Sequence, residues 1–596
     1  MKTLQSIRLF FHNFFGIDYR SLVVLRVGVA LSILIDLWYR SKDFTAHYTD
    51  DGVLPVFEIS SWASSIFPPT IHLWNGSWYF QAFLFFTAAI LGVLMLVGYK
   101  TRIVTFLSWI FLISLQARNP LIRDGGDMLL KMVIFWGIFL PWGEYFSIDN
   151  ALTKVKEKSS AVFSSVASMG LLLQISFVYI FTAILKHGIE WWGEWTAIEF
   201  ALRIDQFTTP VGYFLLQFPI ALQWLTAFVY ILEFGTIFLL FFPLFTPYLR
   251  LLAIFLISGM HVGIGLSMRL GVFPFVDIVA MMAFLPTLFW EWFWKKLKTP
   301  KRTNLTIYYD GHCGFCYKMV RIMQSFFLFP EVQARPAQNS SAINRLMIQN
   351  NSWVVVDHKN ENHIRYDGFL AVMSASPLLN PFRFVFALRP VRYAGELLYG
   401  FIAGHRKSVC IPVKPERKWP FLQSRLVRWV ASAIGLVLIT YTLLWNVMTV
   451  NNNQSTVPRE IRFIGKAFSL DQFWGMFAPF PLRDDGWFII SGKLANGQEV
   501  SLFQNWGGEV SEKKPSSVSK TYSSQRTRKY FLNLWQATHA VERPRYVRFL
   551  CKKWNQDDTP EEKRLVSVKI IFMREFTLSD RSEAPVVPVT LLEKKC

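Results

Sequence analysis

The stretch Tyr308-Tyr-Asp-Gly-His-Cys-Gly-Phe-Cys316 is the sharpest chemical signal in the sequence. The run Leu305 to Tyr309 that leads into it is short, apolar and aromatic, which predicts a buried strand. Its Asp-Gly pair predicts a turn, and apolar residues recur at helical spacing from Phe315 to Phe327. The pattern therefore predicts a strand, a turn and a helix, with Cys313 at or just before the helix N-terminus and Cys316 in the first turn.

The two cysteines are suited to thiol–disulfide exchange. A helix N-terminus favours the negatively charged thiolate, which makes Cys313 the candidate nucleophile. A second thiol in the next turn, at Cys316, can resolve a mixed disulfide. Asp310 and His312 lie in the same loop and are candidates for supporting it. We therefore expect Cys313 and Cys316 to be catalytic.

A metal site is the alternative for the same residues. A zinc knuckle needs four ligands, and the sequence contains no second Cys-x-x-Cys pair. Cys410 with His405 or His312 could complete such a site. A structural disulfide does not suit this segment if it is cytosolic, as the loop charges below predict, because disulfides persist in oxidising compartments. The sequence favours redox chemistry without a metal and leaves binding of a metal with Cys410 and His405 open.

The loop resembles a known family. Asp310-Gly-His-Cys-Gly-Phe-Cys316 is similar to the DCC family of small thioredoxin-like thiol–disulfide oxidoreductases. The region up to Cys410 fits, with a strand predicted at Trp353 to Asp357 and helices at Gly368 to Ser376 and Val391 to Arg406. The resemblance implies an inserted thioredoxin-like α/β domain over 303–410 that acts on a protein dithiol or disulfide. His312 departs from the family, which often carries an acidic residue there.

Composition places this unit in a membrane protein. The chain has 596 residues, of which 17% are aromatic and only 17% charged, as in polytopic membrane proteins. The net charge of +21 is more typical of cytoplasmic loops than of nucleic-acid binding, so no nucleic-acid partner is expected. Five cysteines exclude a disulfide scaffold. Met1 to Arg20 shows no removable signal peptide.

Long apolar runs predict a multi-pass α-helical bundle of about eight spans plus one. They lie at 21–38, 79–98, 102–116, 128–146, 161–186, 218–242, 249–267, 272–292 and 427–449. The third is short and could be re-entrant. The predicted units are a membrane domain at 1–295, the dithiol domain at 303–410, a ninth transmembrane helix at 424–450 and a C-terminal domain at 451–596.

Loop charge predicts the orientation. Basic residues cluster before the first span, in the second connection, before the fifth span and after the eighth. Acidic residues concentrate in 40–78 and 187–217, so basic and acidic connections alternate. The N-terminus and the dithiol domain are therefore expected in the cytoplasm, and the C-terminal domain outside. The lipid bilayer is the expected environment, of the bacterial inner-membrane type.

Ionisable residues inside the spans are candidates for a polar cavity. Ionisable groups in lipid are costly and tend to face a bundle interior, although a single lysine near a helix end can also extend to the headgroups. The residues expected near the outer ends are Asp36, Asp127, Lys131, Lys186, His261 and Asp277. Because they come from several spans at similar depth, a shared cavity is predicted. A desolvated Lys186 could act there as a neutral base.

The membrane part also resembles a family over about residues 10–292. The segments are His47-Tyr-Thr-Asp-Asp-Gly-Val-Leu-Pro55, Gly98-Tyr-Lys-Thr-Arg102, Arg118-Asn-Pro120, Gly125-Gly-Asp127 and Met260-His-Val with Gly271-Val-Phe-Pro274. They look like the HTTM family, the membrane domains related to vitamin K-dependent gamma-carboxylase. Lys186-His-Gly-Ile-Glu-Trp191 is similar to the segment with that enzyme's catalytic lysine. The resemblance implies that Lys186 deprotonates a quinone-type cofactor such as vitamin K hydroquinone. A gamma-carboxylase-like activity stays open, but the resemblance does not establish carboxylation, because the carboxylase's large lumenal substrate-binding part is not recognisable.

The C-terminal part is predicted to be a small α+β or β-rich domain. Trp487 to Leu494 and Val500 to Phe503 flank Asn496-Gly497, which predicts a hairpin. A helix is predicted at Tyr530 to Val541 and a strand at Arg564 to Phe576. The whole chain is thus expected to be a membrane thiol–disulfide oxidoreductase coupled to quinone-type redox or acid–base chemistry. The alternatives are a dithiol reductase merely anchored by the bundle, and a non-enzymatic membrane scaffold or transporter.

Overall fold

The computed structural model describes residues 10–63, 70–153, 160–328, 332–405, 424–450, 457–468 and 470–596. The bundle helices are α1 (Tyr19–Ser41), α2 (Trp78–Val97), α3 (Thr101–Arg118), α4 (Gly125–Gly137), α5 (Ile148–Leu152), α6 (Val166–Leu185), α7 (Pro219–Phe241), α8 (Thr246–Ser267), α9 (Phe273–Met281) and α10 (Thr287–Leu297). Short helices at Phe44–Tyr48, Ile189–Trp192, Ala197–Leu202 and Pro210–Leu215 lie in the long connections.

The α/β unit follows the bundle. Its elements are β1 (Thr306–Tyr309), α11 (Gly314–Met323), β2 (Gln333–Pro336), α12 (Ser341–Asn350), β3 (Val354–Val356), β4 (Asn362–Ile364), α13 (Arg365–Ala375) and α14 (Arg389–His405). The strand order is β2-β1-β3-β4, with β1 parallel to β2 and the other neighbours antiparallel. Ile307 pairs with Val355 and packs with Val320 and Val372 in the core of the unit. The predicted strand–turn–helix around the two cysteines is confirmed as β1 and α11.

A long helix and a sheet domain complete the chain. They are α15 (Arg425–Thr449), α16 (Arg459–Phe468), β5 (Asp484–Leu494), β6 (Glu499–Ser501), α17 (Gln525–Trp535), α18 (Glu542–Trp554), β7 (Leu565–Phe576) and β8 (Val587–Lys595). The antiparallel strands are ordered β8-β7-β5-β6, and Gly492 pairs with Val500 in the predicted hairpin. The predicted helix at Tyr530 to Val541 is shifted toward the N-terminus: it begins at Gln525, where Ser524 caps it, and ends at Trp535. A disulfide joins Cys551 of α18 to Cys596.

Six helices of the described part are long and apolar enough to cross a membrane, or seven if the bent pair α9–α10 counts as one span. They are α1, α2, α6, α7, α8 and α15, and they match six of the predicted spans. α4, in the fourth predicted span, has 13 residues, so it reaches about 20 Å of the roughly 30 Å hydrocarbon core. The eighth breaks at Pro286, because proline cannot continue a helix, and turns by 93°. α3, which occupies the third predicted span, is 18 residues long and ends at the buried Arg118. It is not among the six helices.

The sheet domain packs on one end of the bundle. A single hydrophobic cluster runs from bundle residues such as Ile33 and Leu130 to Phe488 and Phe531 of the sheet domain. At the opposite end of the bundle, α11 of the dithiol unit packs against α5. The two globular parts therefore contact different connections of the membrane bundle.

Candidate functional site

The dithiol lies where β1 passes into α11. Cys313 is the N-cap residue of α11, and its Sγ accepts a hydrogen bond from the backbone N–H of Cys316 at 3.4 Å. The N–H of Cys313 in turn donates to the carbonyl of Asp310 at 3.0 Å. Both cysteines are partly buried. A sulfur that receives a backbone N–H at a helix N-terminus is placed to carry negative charge.

Asp310 organises the loop before the dithiol. Its Oδ1 accepts the backbone N–H of His312 at 3.1 Å and the Nε2 of Gln338 at 3.0 Å. Gln338 also accepts the N–H of Gly311 at 3.0 Å through its Oε1. The His312 residue is exposed. Asp310 thus holds the loop geometry, and Gln338 holds it as well. Gln338 gave no sequence signal because it lies just after β2, 28 positions from Asp310 along the chain.

The metal alternative falls partly outside the described residues. Cys410 lies outside them, so its distance from the dithiol is not part of the structure. His405 ends α14, and its Nδ1 is 2.9 Å from the carbonyl oxygen of Phe401. Within the described residues, His405 therefore has a local backbone partner.

An ion network holds two of the six intramembrane candidates. Asp36 and Asp127 both contact Arg40 of α1 and Arg526 of α17. The Arg40 Nε lies 2.7 Å from Asp36, and its Nη2 lies 2.5 Å from Asp127. The Arg526 Nη2 lies 2.7 Å from Asp36. All four side chains are buried, so the carboxylates neutralise two guanidinium groups.

Lys131 lies outside the ion network of Asp36 and Asp127. Its Nζ lies 2.9 Å from Asp471, just before the sheet domain. The pair joins α4 to the segment that follows α16. Lys131 therefore contributes to the contact between the bundle and the C-terminal part.

The other three candidates, Lys186, His261 and Asp277, share a second buried neighbourhood. The Lys186 Nζ lies 2.7 Å from both carboxylate oxygens of Glu233 and 4.0 Å from the centroid of the Trp191 ring. His261 Nε2 lies 3.6 Å from Asp277. Lys186 is close enough to His261 to act on it electrostatically.

Tyr179 links the members of this second group. Its hydroxyl lies 3.5 Å from Nε2 of His261, and Asp277 and Glu233 both act on it electrostatically. Lys186, Glu233, Tyr179, His261 and Asp277, which we call the polar cluster, come from α6, α7, α8, α9 and the residue that caps α6. Tyr179 gave no sequence signal, because a tyrosine in an apolar run reads as core. Glu233 is an intramembrane acid in the sequence, but its spacing does not show that it pairs with Lys186.

A membrane bundle joined to a dithiol at a helix N-terminus defines a redox membrane protein. Comparison with family models agrees: an HTTM domain matches residues 14–290, and a DCC1-like thiol-disulfide oxidoreductase matches residues 307–411. The chain therefore carries an HTTM domain followed by a DCC1-like domain, and both predicted resemblances are confirmed. Searches of curated proteins and of solved structures gave no match.

Proposed function

We propose that the protein is a membrane-anchored thiol–disulfide oxidoreductase whose reacting groups are Cys313 and Cys316. The thiolate of Cys313 attacks a substrate disulfide, forms a mixed disulfide and releases one substrate thiolate. Cys316 then attacks the Cys313 sulfur, which closes the protein disulfide and releases the second substrate thiolate. The observation that carries the proposal is the Cys313 sulfur at the N-cap of α11, bonded to the N–H of Cys316.

The fold of the dithiol unit supports the same proposal. We infer a thioredoxin-like domain at 303–410. Its four-stranded mixed sheet places β1 beside β2, and β1 is followed along the chain by the dithiol helix α11. The units around it are a membrane domain at 1–295, a transmembrane helix at 424–450 and a C-terminal domain at 451–596. The dithiol domain and the C-terminal domain each have a four-stranded sheet of their own, which is consistent with these boundaries.

Turnover of a soluble disulfide tests the redox proposal. The purified full chain should reduce a chromogenic aromatic disulfide in the presence of a thiol reductant. Cys313→Ser and Cys316→Ser should each lose catalytic turnover, by about a hundredfold or more, because each removes a covalent step. Cys410→Ser is the matched control and should retain activity. Loss of activity with Cys410→Ser, together with bound zinc in the wild type, would support the metal site instead.

For the membrane domain we propose acid–base chemistry at the polar cluster. Lys186 and Glu233 form a buried pair in which a proton can pass between nitrogen and oxygen, and His261 and Tyr179 extend it toward Asp277. Nδ1 of the buried His261 has no hydrogen-bond partner among the described residues, so a hydroxyl group could bond there. A hydroquinone of the vitamin K type, the cofactor class that the resemblance to the carboxylase implies, carries such a hydroxyl group. The chain's own contribution is Lys186 as the base, with Glu233 holding it.

Lys186→Arg tests this second proposal. Arginine keeps the charge and can still pair with Glu233, but it does not release a proton usefully. The variant should insert and fold normally yet lose oxygen-dependent consumption of vitamin K hydroquinone. Lys131→Arg is the control, because Lys131 pairs with Asp471 outside the polar cluster. Equal activity in both variants would leave Lys186 as a structural ion pair.

We infer that the dithiol domain is cytoplasmic and the C-terminal domain extracytoplasmic, as the loop charges predict. The two parts contact opposite connections of the bundle, and the C-terminal domain contains the Cys551–Cys596 disulfide, which suits an oxidising compartment. Cysteines introduced at the exposed Ser516 and Asn339 test this in intact cells, in a background without Cys313, Cys316 and Cys410. Ser516→Cys should be labelled by an impermeant reagent, and Asn339→Cys only after permeabilisation. Equal labelling would reject the orientation.

A non-enzymatic scaffold or transporter is the second candidate function. The specific observation in its favour is that Lys186 is already paired with Glu233, as in a structural buried ion pair. It predicts that Cys313→Ser leaves every redox assay unchanged. The thiol–disulfide proposal predicts the opposite.

A further inference from the structure

The dithiol domain contains an apolar groove that ends at Cys316. Its volume is about 490 Å³, and it lies between α11 and α14 over a floor of aromatic residues. Met319 and Met323 line it from α11, and Val391, Leu398 and Ile402 line it from α14. Asp310, beside the dithiol, is the one charged residue in the lining. The groove therefore offers hydrocarbon contacts along its length and polar groups at its reactive end.

The wall formed by α14 is apolar on a second stripe as well. Tyr393, Leu397 and Phe401 follow one another at four-residue spacing and are 69%, 60% and 64% exposed. At about 100° per residue, this stripe adjoins the one that carries Leu398 and Ile402. The two stripes form one apolar arc, half of it facing the groove and half facing outward. Whatever covers the outer stripe has direct access to the groove.

The surroundings of the domain indicate that lipid covers this stripe. The domain is joined to bundle helix α10 before it and to the apolar helix α15 after it, and α11 packs on bundle helix α5. The segment leading into α14 adds the exposed apolar residues Phe382, Phe384 and Leu388 and the basic residues Arg383 and Arg389. An apolar arc with basic flanks is typical of a helix that lies in an anionic membrane surface.

We propose that the groove binds the hydrocarbon chain of a lipid-soluble quinone from the bilayer, and that the Cys313–Cys316 dithiol reduces it. The proposal rests on the proposed redox function of the dithiol and adds a lipid-soluble electron acceptor to the disulfide substrate. Two S–H bonds break and one S–S bond forms, which supplies two electrons and two protons, and the quinone's two carbonyls become hydroxyls. A peptide would bury backbone amides against a wall with few hydrogen-bond partners, whereas a hydrocarbon chain has none to satisfy.

The test uses the full chain in lipid nanodiscs, in a Cys410→Ser background, with the dithiol reduced and the reductant removed. The probes are a fully ring-substituted benzoquinone with a decyl chain and the same ring with a methyl group instead. Full substitution prevents addition of thiols to the ring. Hydroquinone formation and loss of alkylatable Cys313 and Cys316 are measured together. Leu398→Asp and Ile402→Asp alter the groove, and Ile348→Asp is the matched control, since Ile348 is a 67% exposed residue of α12 outside the lining.

The decyl quinone should oxidise the wild-type dithiol, and Leu398→Asp or Ile402→Asp should slow this by about tenfold or more, because several buried methylenes lose their contacts. Reaction with the methyl quinone and with a soluble aromatic disulfide should change little, and Ile348→Asp should match the wild type. Partition of the quinone into lipid is the same for every variant. Equal rates for Leu398→Asp and Ile348→Asp with the decyl quinone would overturn the proposal. If Leu398→Asp and Ile402→Asp slow only the reaction with a hydrophobic disulfide peptide, the quinone proposal is also overturned, and the groove is a peptide site. Failure of the wild type with the soluble disulfide would instead remove the dithiol function itself.

Discussion

Arg526 is the residue on which the buried acids of α1 and α4 depend. Its guanidinium contacts Asp36, Asp127 and Asp124, and it also donates to the carbonyl of Ile122 at 3.0 Å. Arg526 lies 490 positions from Asp36 along the chain. One side chain of the C-terminal domain thus completes a charge network inside the membrane domain.

Arg526→Gln should destabilise the folded chain by about 3–5 kcal/mol, because the buried carboxylates of Asp36 and Asp127 are then left to share the single guanidinium of Arg40. Chemical denaturation of the solubilised full chain measures the free energy of unfolding. Lys552→Gln is the matched control, since Lys552 and Asp51 form an exposed pair and should contribute less than about 1 kcal/mol. Equal effects of the two substitutions would contradict the role of Arg526.

Asp485 adds a pH-dependent contact between the C-terminal domain and the bundle. It is buried, and its Oδ2 accepts the backbone N–H of Asp205. Burial, together with the nearby Asp205 carboxylate, raises the pKa of Asp485 to about 8. The folded chain therefore binds a proton at Asp485 at pH values where the unfolded chain has already lost it.

The sign of the effect follows from that proton. Stability falls as the pH rises from about 4, the ordinary value, to about 8, because the folded state must then bury the charge. Asp485→Asn should flatten this part of the curve of thermal unfolding midpoint against pH. Asp484→Asn, at the half-exposed neighbour, should keep the slope. An unchanged slope in Asp485→Asn would show that Asp485 is not the titrating group.

At the scale of the elements, the hydrophobic pattern predicted well which segments are helices or strands, and it predicted the ends of the helices poorly. β1, α11 and six of the spans follow from apolar runs and from turn residues such as Asp310-Gly311. The fourth predicted span fails to continue beyond Gly137, where the ring of Trp142 packs against the glycine. An apolar run that folds back on itself has the same composition as one that crosses a membrane. Length and hydropathy therefore could not separate the two.

The element β8 depends on the disulfide that follows it. β8 is the outer strand of its sheet, and Cys596 joins it to Cys551 of α18 over 45 positions. The double substitution Cys551→Ser and Cys596→Ser should lower the stability of the C-terminal domain by about 3 kcal/mol. Hydrogen exchange should show the loss first in β8. Unchanged protection of β8, or no effect of a reductant on the wild type, would contradict this.

At the scale of the whole molecule, charge had two meanings that the sequence alone could not separate. The acidic connections predicted orientation, but many of their carboxylates also pair with basic residues of the C-terminal domain. Examples are Glu190 with Arg483 at 2.6 Å and Glu58 with Arg548 at 2.5 Å. The fold also separates the six intramembrane candidates into different groups, because some of them pair with Arg526 or Asp471, which follow α15 in the chain. Partners that distant along the chain leave no local pattern.

The central claim is that Cys313 attacks and Cys316 resolves, and mixed-disulfide trapping in membranes tests it most directly. With the resolving thiol gone, Cys316→Ser should accumulate covalent adducts that a reductant releases on a non-reducing gel. Cys313→Ser should accumulate none, since the attacking sulfur is absent. Adducts on Cys313→Ser and none on Cys316→Ser would contradict the account.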